Sequence, residues 1–89
     1  MSKIEDHLNI CTKLNSIYKA KNADYGDSFG KSYREYGLTM PCIRLEDKLN
    51  RLKSLNFSKS AKVNESIEDT LMDLANYAIM TLIELEGEE

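Results

Sequence analysis

At 89 residues, with 42% apolar and 30% charged side chains, the chain has room for one domain, residues 1–89, and no second core. No stretch approaches the ~20 apolar residues that span a bilayer and the N-terminus lacks an apolar signal-peptide core, so a cytoplasmic protein with no membrane partner is expected. A net charge of -3 argues against a nucleic-acid polymer as partner, and Cys11 and Cys42, far apart and without CxxC or Cys/His spacing, exclude a disulfide scaffold and a classical zinc site.

One proline and four glycines leave little punctuation, which predicts an all-α small helical bundle. Ser2 with Glu5 makes a capping-box pattern, and Ile4, Leu8, Cys11, Leu14, Ile17 and Tyr18 recur at helical spacing to about Lys21. Asn22 to Gly37 holds three of the four glycines and four of the seven aromatics, which predicts a loop-rich segment with room for one short helix between Asp27 and Tyr36. Thr39 is the expected cap of the next helix. Pro41 suits its first turn, and Cys42, Leu45, Leu49 and Leu52 carry it to about Leu55. Asn56 to Lys62 reads as a polar connector, and Asn64 as the cap of a last helix that carries Ile67, Leu71, Leu74, Ala78, Leu82 and Leu85 to the acidic C-terminus.

That last helix is more apolar than a surface helix needs. At about 100° per residue, the positions from Leu74 through Leu82 to Met72 cover an arc of roughly 160°. A domain of this size buries only about 60–65% of its unfolded surface, so the arc is expected to pack internally and also to meet another copy in a homo-oligomer, a dimer or higher.

Two polar stripes carry chemistry. Glu65, Asp69 and Asp73 lie on successive turns of one face of the last helix, with Asn76 beside them. Their mutual repulsion calls for cations or a metal, and such oxygen-rich clusters suit Mg²⁺ or Mn²⁺ completed by substrate phosphates. For Glu65 and Glu68 a solvated first-turn role is sufficient, whereas Asp73, more than two turns inside the helix, has no capping role. The preceding helix presents the opposite charge. Arg44, Lys48 and Arg51 fall within about 60° of one another, beside Asp47. They can pair with the last helix's carboxylates, hold the phosphates of a ligand, or do both.

In the middle segment Lys21, Asn22, Asp24, Tyr25, Gly26 and Phe29 crowd amide, carboxylate and aromatic groups together, as recognition of a flat base requires. The structural alternative, that aromatics cap the core, suits Tyr33 and Tyr36. His7 is the single histidine and reads as a packed or surface residue, and no Ser/His/Asp pattern or GxxxxGK[ST] loop occurs.

The runs Lys21-Asn22-x-Asp24-Tyr25-Gly26, Arg44-Leu45-x-Asp47-Lys48-x-x-Arg51-Leu52 and Glu65-Ser66-x-x-Asp69-Thr70-Leu71-x-Asp73-Leu74-Ala75-Asn76-Tyr77 together resemble the phage and bacterial nucleotide-modification-associated domain family. That family looks like a branch of the MazG-like all-α nucleotide pyrophosphohydrolases. The resemblance covers about Lys21 to Leu85. It implies a single MazG-like helical domain that oligomerises, places Mg²⁺ on helix carboxylates and binds a nucleotide between helices; a phage-encoded copy would act in the host cytoplasm. Asp73 with Tyr77 matches the aspartate-and-aromatic end of the family's ExxD helix. The chain departs from the pattern where Asn50 replaces a second acid on the earlier helix and Thr70 replaces the ExxD glutamate.

The reading that joins stripes and resemblance is Mg-dependent hydrolysis of a (deoxy)nucleoside triphosphate to monophosphate and pyrophosphate. Glu65, Asp69 and Asp73, with Asp47 or Glu46, would hold the metal, and Asp69 and Asp73 would be catalytic. Lys48, Arg51 and Lys21 would hold phosphates, with Asn22, Asp24, Tyr25, Asn76 and Tyr77 at the base or sugar. The thinned set of acids favours the alternative, a phage protein that sequesters a signalling nucleotide without turnover.

Overall fold

The computed structural model describes residues 2–58 and 63–88 and is helical throughout, with no strand among the described residues. α1 (Lys3–Tyr25) starts at Ser2, whose Oγ accepts from the Glu5 amide at 3.2 Å, as the capping pattern requires. It runs a turn past the expected end at Lys21. Nothing between Asn22 and Tyr25 breaks a helix, and the stop comes only at Gly26, where φ is +62° and the amide donates to the Asn22 carbonyl at 2.8 Å.

The expected loop-rich segment is therefore mostly helix. Asp27 caps α2 (Ser28–Tyr36) by accepting from the Gly30 amide at 3.3 Å, and Gly37 ends it with φ +67°. The short helix predicted between Asp27 and Tyr36 is present, while Asn22, Asp24 and Tyr25 sit on the last turn of α1 rather than on a loop. α3 (Thr39–Asn56) includes Thr39 as its first residue. Leu38 holds the cap position without a side-chain hydrogen bond, so Thr39 is not the cap; Pro41 does lie in the first turn, where its missing N–H costs nothing. α4 (Val63–Gly87) begins one residue before Asn64, whose side chain, like most of the expected 56–62 connector, lies outside the described residues.

α3 and α4 form the principal seam, and α1 leans on α4 over a short span. Small side chains set that seam: Thr70 and Pro41 are the largest fully buried ones, and the buried apolar residues among those described are Leu14, Tyr33 and Met40. The hydroxyls of Thr70 and Thr81 donate at 2.7 Å to the Ser66 and Tyr77 carbonyls of α4 itself, so neither asks for a partner across the seam. Much of the apolar periodicity, by contrast, remains exposed. Ile4 is 84% exposed, Leu8 64% and Leu82 57%. No helix among the described residues is long and apolar enough to cross a membrane.

Candidate functional site

A cavity of about 510 Å³ opens between α1, α2 and α4, and its walls explain which sequence features matter. Because α1 continues past Lys21, it brings Lys21, Asn22 and Tyr25 to one wall together with Tyr18. The Gly26–Asp27 turn reverses the chain so that Phe29 of α2 faces Tyr77 of α4. Their ring centroids stand 6.1 Å apart with planes 16° from parallel. Asp73 and Asn76 of α4 and Arg44 of α3 complete the lining used below.

Asp73 is the electrostatic centre. Its Oδ1 accepts from Lys21 Nζ of α1 at 3.0 Å, and its Oδ2 from Lys48 Nζ of α3 at 2.8 Å. One carboxylate thus clasps three helices. Partial burial pushes its pKa up, but the Lys48 and Lys21 hydrogen bonds and charges outweigh that, and the carboxyl titrates below its ordinary value. Asn76, buried, donates its side-chain amide to the Leu14 carbonyl at 3.1 Å, which ties α1 to α4 beside the cavity.

A second hollow of about 290 Å³ adjoins the first, sharing Arg44 and Tyr77, and is lined besides by Asp47, Lys48 and Arg51. The cationic edge expected on this helix therefore lines a hollow beside the cavity, and its Lys48 meets the carboxylate stripe at Asp73. Arg34 of α2 approaches two carboxylates that line the first cavity, Asp27 at 3.6 Å and Glu84 at 3.8 Å.

The structure gathers Lys21, Asn22, Tyr25, Asp73, Asn76 and Tyr77 at the first hollow, and Asp47, Lys48 and Arg51 at the second. Asp24, Glu65 and Asp69 are exposed and line neither. Among the described residues no group of three His, Cys, Asp or Glu side chains stands close enough together to hold a metal ion. Tyr18, absent from the sequence-based site, was within reach of sequence reasoning: it precedes Lys21 and Asn22 by three and four residues and so shares their face of α1. Phe29 differs. Its pairing with Tyr77 depends on the turn between α1 and α2, which no periodicity announces.

A family model described as nucleotide modification associated domain 1 matches residues 21–85. No curated protein and no solved structure matches the chain.

Proposed function

The chain belongs to the nucleotide modification associated domain 1 family, and from that premise we propose that it binds a nucleotide along the groove formed by the two hollows. The observation that carries this reading is the charge of the groove. The second hollow is lined by three cations, Arg44, Lys48 and Arg51, against one carboxylate, Asp47, an excess of two positive charges in a chain of net charge -3, whereas the first sets Lys21 and Arg44 against Asp27, Asp73 and Glu84. The second hollow draws an anion, and the Phe29–Tyr77 pair offers a flat base its aromatic faces next to it. Phosphates lie against Lys48, Arg51 and Lys21, and the base lies toward the rings, within reach of Asn22 and Tyr25. The working unit in this reading is a homo-oligomer.

Binding is favoured over hydrolysis by the state of the acids. A resident Mg²⁺ or Mn²⁺ needs free carboxylate oxygens, but each oxygen of Asp73 already accepts from an ammonium group, and Glu65 and Asp69 stand outside both hollows. As arranged, these residues do not fit the metal that the family resemblance implies. The test is incubation with a panel of ribo- and deoxyribonucleoside triphosphates with and without Mg²⁺, followed by chromatography of the solution and of ligand released on denaturation. Intact nucleotide recovered from the protein is the expected result. Monophosphate and pyrophosphate appearing only with Mg²⁺ would replace binding by hydrolysis, and neither retention nor turnover of any nucleotide would overturn both.

A further inference from the structure

The first cavity is polar from end to end in a way that its summed charge conceals. Along α4, Asp73, Tyr77, Met80 and Glu84 are spaced four, three and four residues apart and lie within about 60° of one another on the face that lines the cavity. At about 1.5 Å per residue, Tyr77 stands roughly 6 Å along the helix from Asp73, and Glu84 roughly 16 Å. Cations gather at the Asp73 end, where Lys21 and Lys48 hold the carboxylate and Arg44 is shared with the second hollow. The far end carries two carboxylates, Asp27 and Glu84, with Arg34 between them.

These two acids are not equivalent. Asp27 is the cap of α2, its Oδ1 already accepting from the Gly30 amide at 3.3 Å. Glu84 has no such task. Its side chain is only 20% exposed, its one cation, Arg34, stands 3.8 Å away, beyond hydrogen-bond length, and among the described residues no donor is hydrogen-bonded to either of its oxygens. A carboxylate so far withdrawn from water calls for donors, and a molecule in the cavity can bring them.

In a nucleotide the sugar and phosphates leave the base on one side and the Watson–Crick edge lies on the other. With phosphates in the second hollow and the ring against Phe29 and Tyr77, that edge is turned toward Glu84. An ionised carboxylate only accepts, so its two oxygens select two neighbouring donors. Guanine alone among the common bases has them, in N1–H beside the 2-amino group. Adenine and cytosine set a lone-pair nitrogen next to their amino group, and uracil and thymine flank their N–H with two carbonyls, all of which a carboxylate repels. We propose that Glu84 reads the base and that the base it selects is guanine, an inference that rests on the nucleotide reading of this cavity.

The test is calorimetric titration of guanosine, inosine and adenosine triphosphates into the wild-type chain and Glu84→Gln. Inosine keeps N1–H and lacks the 2-amino group, so the wild type is expected to bind the guanosine nucleotide at least about tenfold more tightly than the inosine one, and the adenosine one more weakly still. Glutamine turns one acceptor into a donor. Glu84→Gln is therefore expected to bring the guanosine-to-inosine ratio down toward one, whereas a structural role would weaken all three nucleotides together and leave the ratio as it was, which overturns the proposal. The wild-type comparison decides the base even if the variant does not fold. Nucleotides bound without preference for guanine overturn the base assignment and leave the nucleotide site standing; no nucleotide bound at all overturns both.

Discussion

Lys48 joins the two sides of the site, since its ammonium lies 2.8 Å from Asp73 while its stem lines the hollow assigned to phosphates. Lys48→Met keeps the stem's packing and removes the charge. Nucleotide affinity is expected to fall by ~1.5–3 kcal/mol, one charge-assisted hydrogen bond. The ligand-free domain should lose about 1–2 kcal/mol, between the worth of an exposed pair and the cost of orphaning a buried one. Melting curves with and without nucleotide separate the two effects, and a ligand-induced shift equal to wild type would reduce Lys48 to a structural partner. Asp73 adds a pH signature. Its folded-state pKa is depressed, so the stability it contributes is present above the ordinary carboxylate range and is lost as pH falls below about 4 through the folded value. Asp73→Asn should flatten that part of the acid-unfolding profile measured by circular dichroism; a profile of unchanged steepness would assign the acid transition to other carboxylates.

At the scale of elements, the turn between α1 and α2 determines whether Tyr25 and Phe29 share a cavity. Gly26 has φ +62° and ψ -143°, a conformation closed to side chains, and its position is otherwise unobstructed, with no atom within 4 Å of an added Cβ. Gly26→Ala is therefore expected to cost about 1–2 kcal/mol from backbone strain alone. Nucleotide affinity should fall with it, because relief of the strain moves α2 relative to α1; calorimetry showing loss of stability with affinity intact would detach the turn from the site. This turn also marks the limit of what the sequence discloses. Helical periodicity sufficed for the presence of α1, α3 and α4 but not for the end of α1 or the cap of α3, and the opposed stripes at Lys48 and Asp73 were legible because charges repeating on successive turns mark a face. The glycines of the middle segment misled, since Gly26 and Gly37 stop helices instead of populating a loop, and a glycine's φ is set by the contacts around it. Glu65 and Asp69 share a face with Asp73 yet stand outside the groove, because spacing along a helix does not say how far along it a neighbour reaches.

For the whole molecule, few side chains are buried within one chain among the described residues, so the proposed homo-oligomer bears directly on stability. If copies of the chain associate on folding, the melting temperature must rise with protein concentration, because the unfolding equilibrium then includes dissociation. Calorimetry over a hundredfold concentration range would show it, and a constant melting temperature would mean that the core around Leu14, Tyr33 and Met40 sustains the fold alone. Asn76 plays a different part. Of the buried polar side chains among the described residues, Thr70 and Thr81 bond to their own helix, and Asn76 alone crosses to the backbone of another. Apolar contacts tolerate a helix sliding by one turn, but an amide that must find the Leu14 carbonyl does not, so Asn76 supplies information about register more than energy. Asn76→Leu is accordingly expected to keep helical content and overall stability near wild type while α1 samples several registers, seen as broadened amide resonances confined to α1 in NMR spectra. Sharp, single resonances there would show that the Lys21–Asp73 pair suffices to specify the alignment.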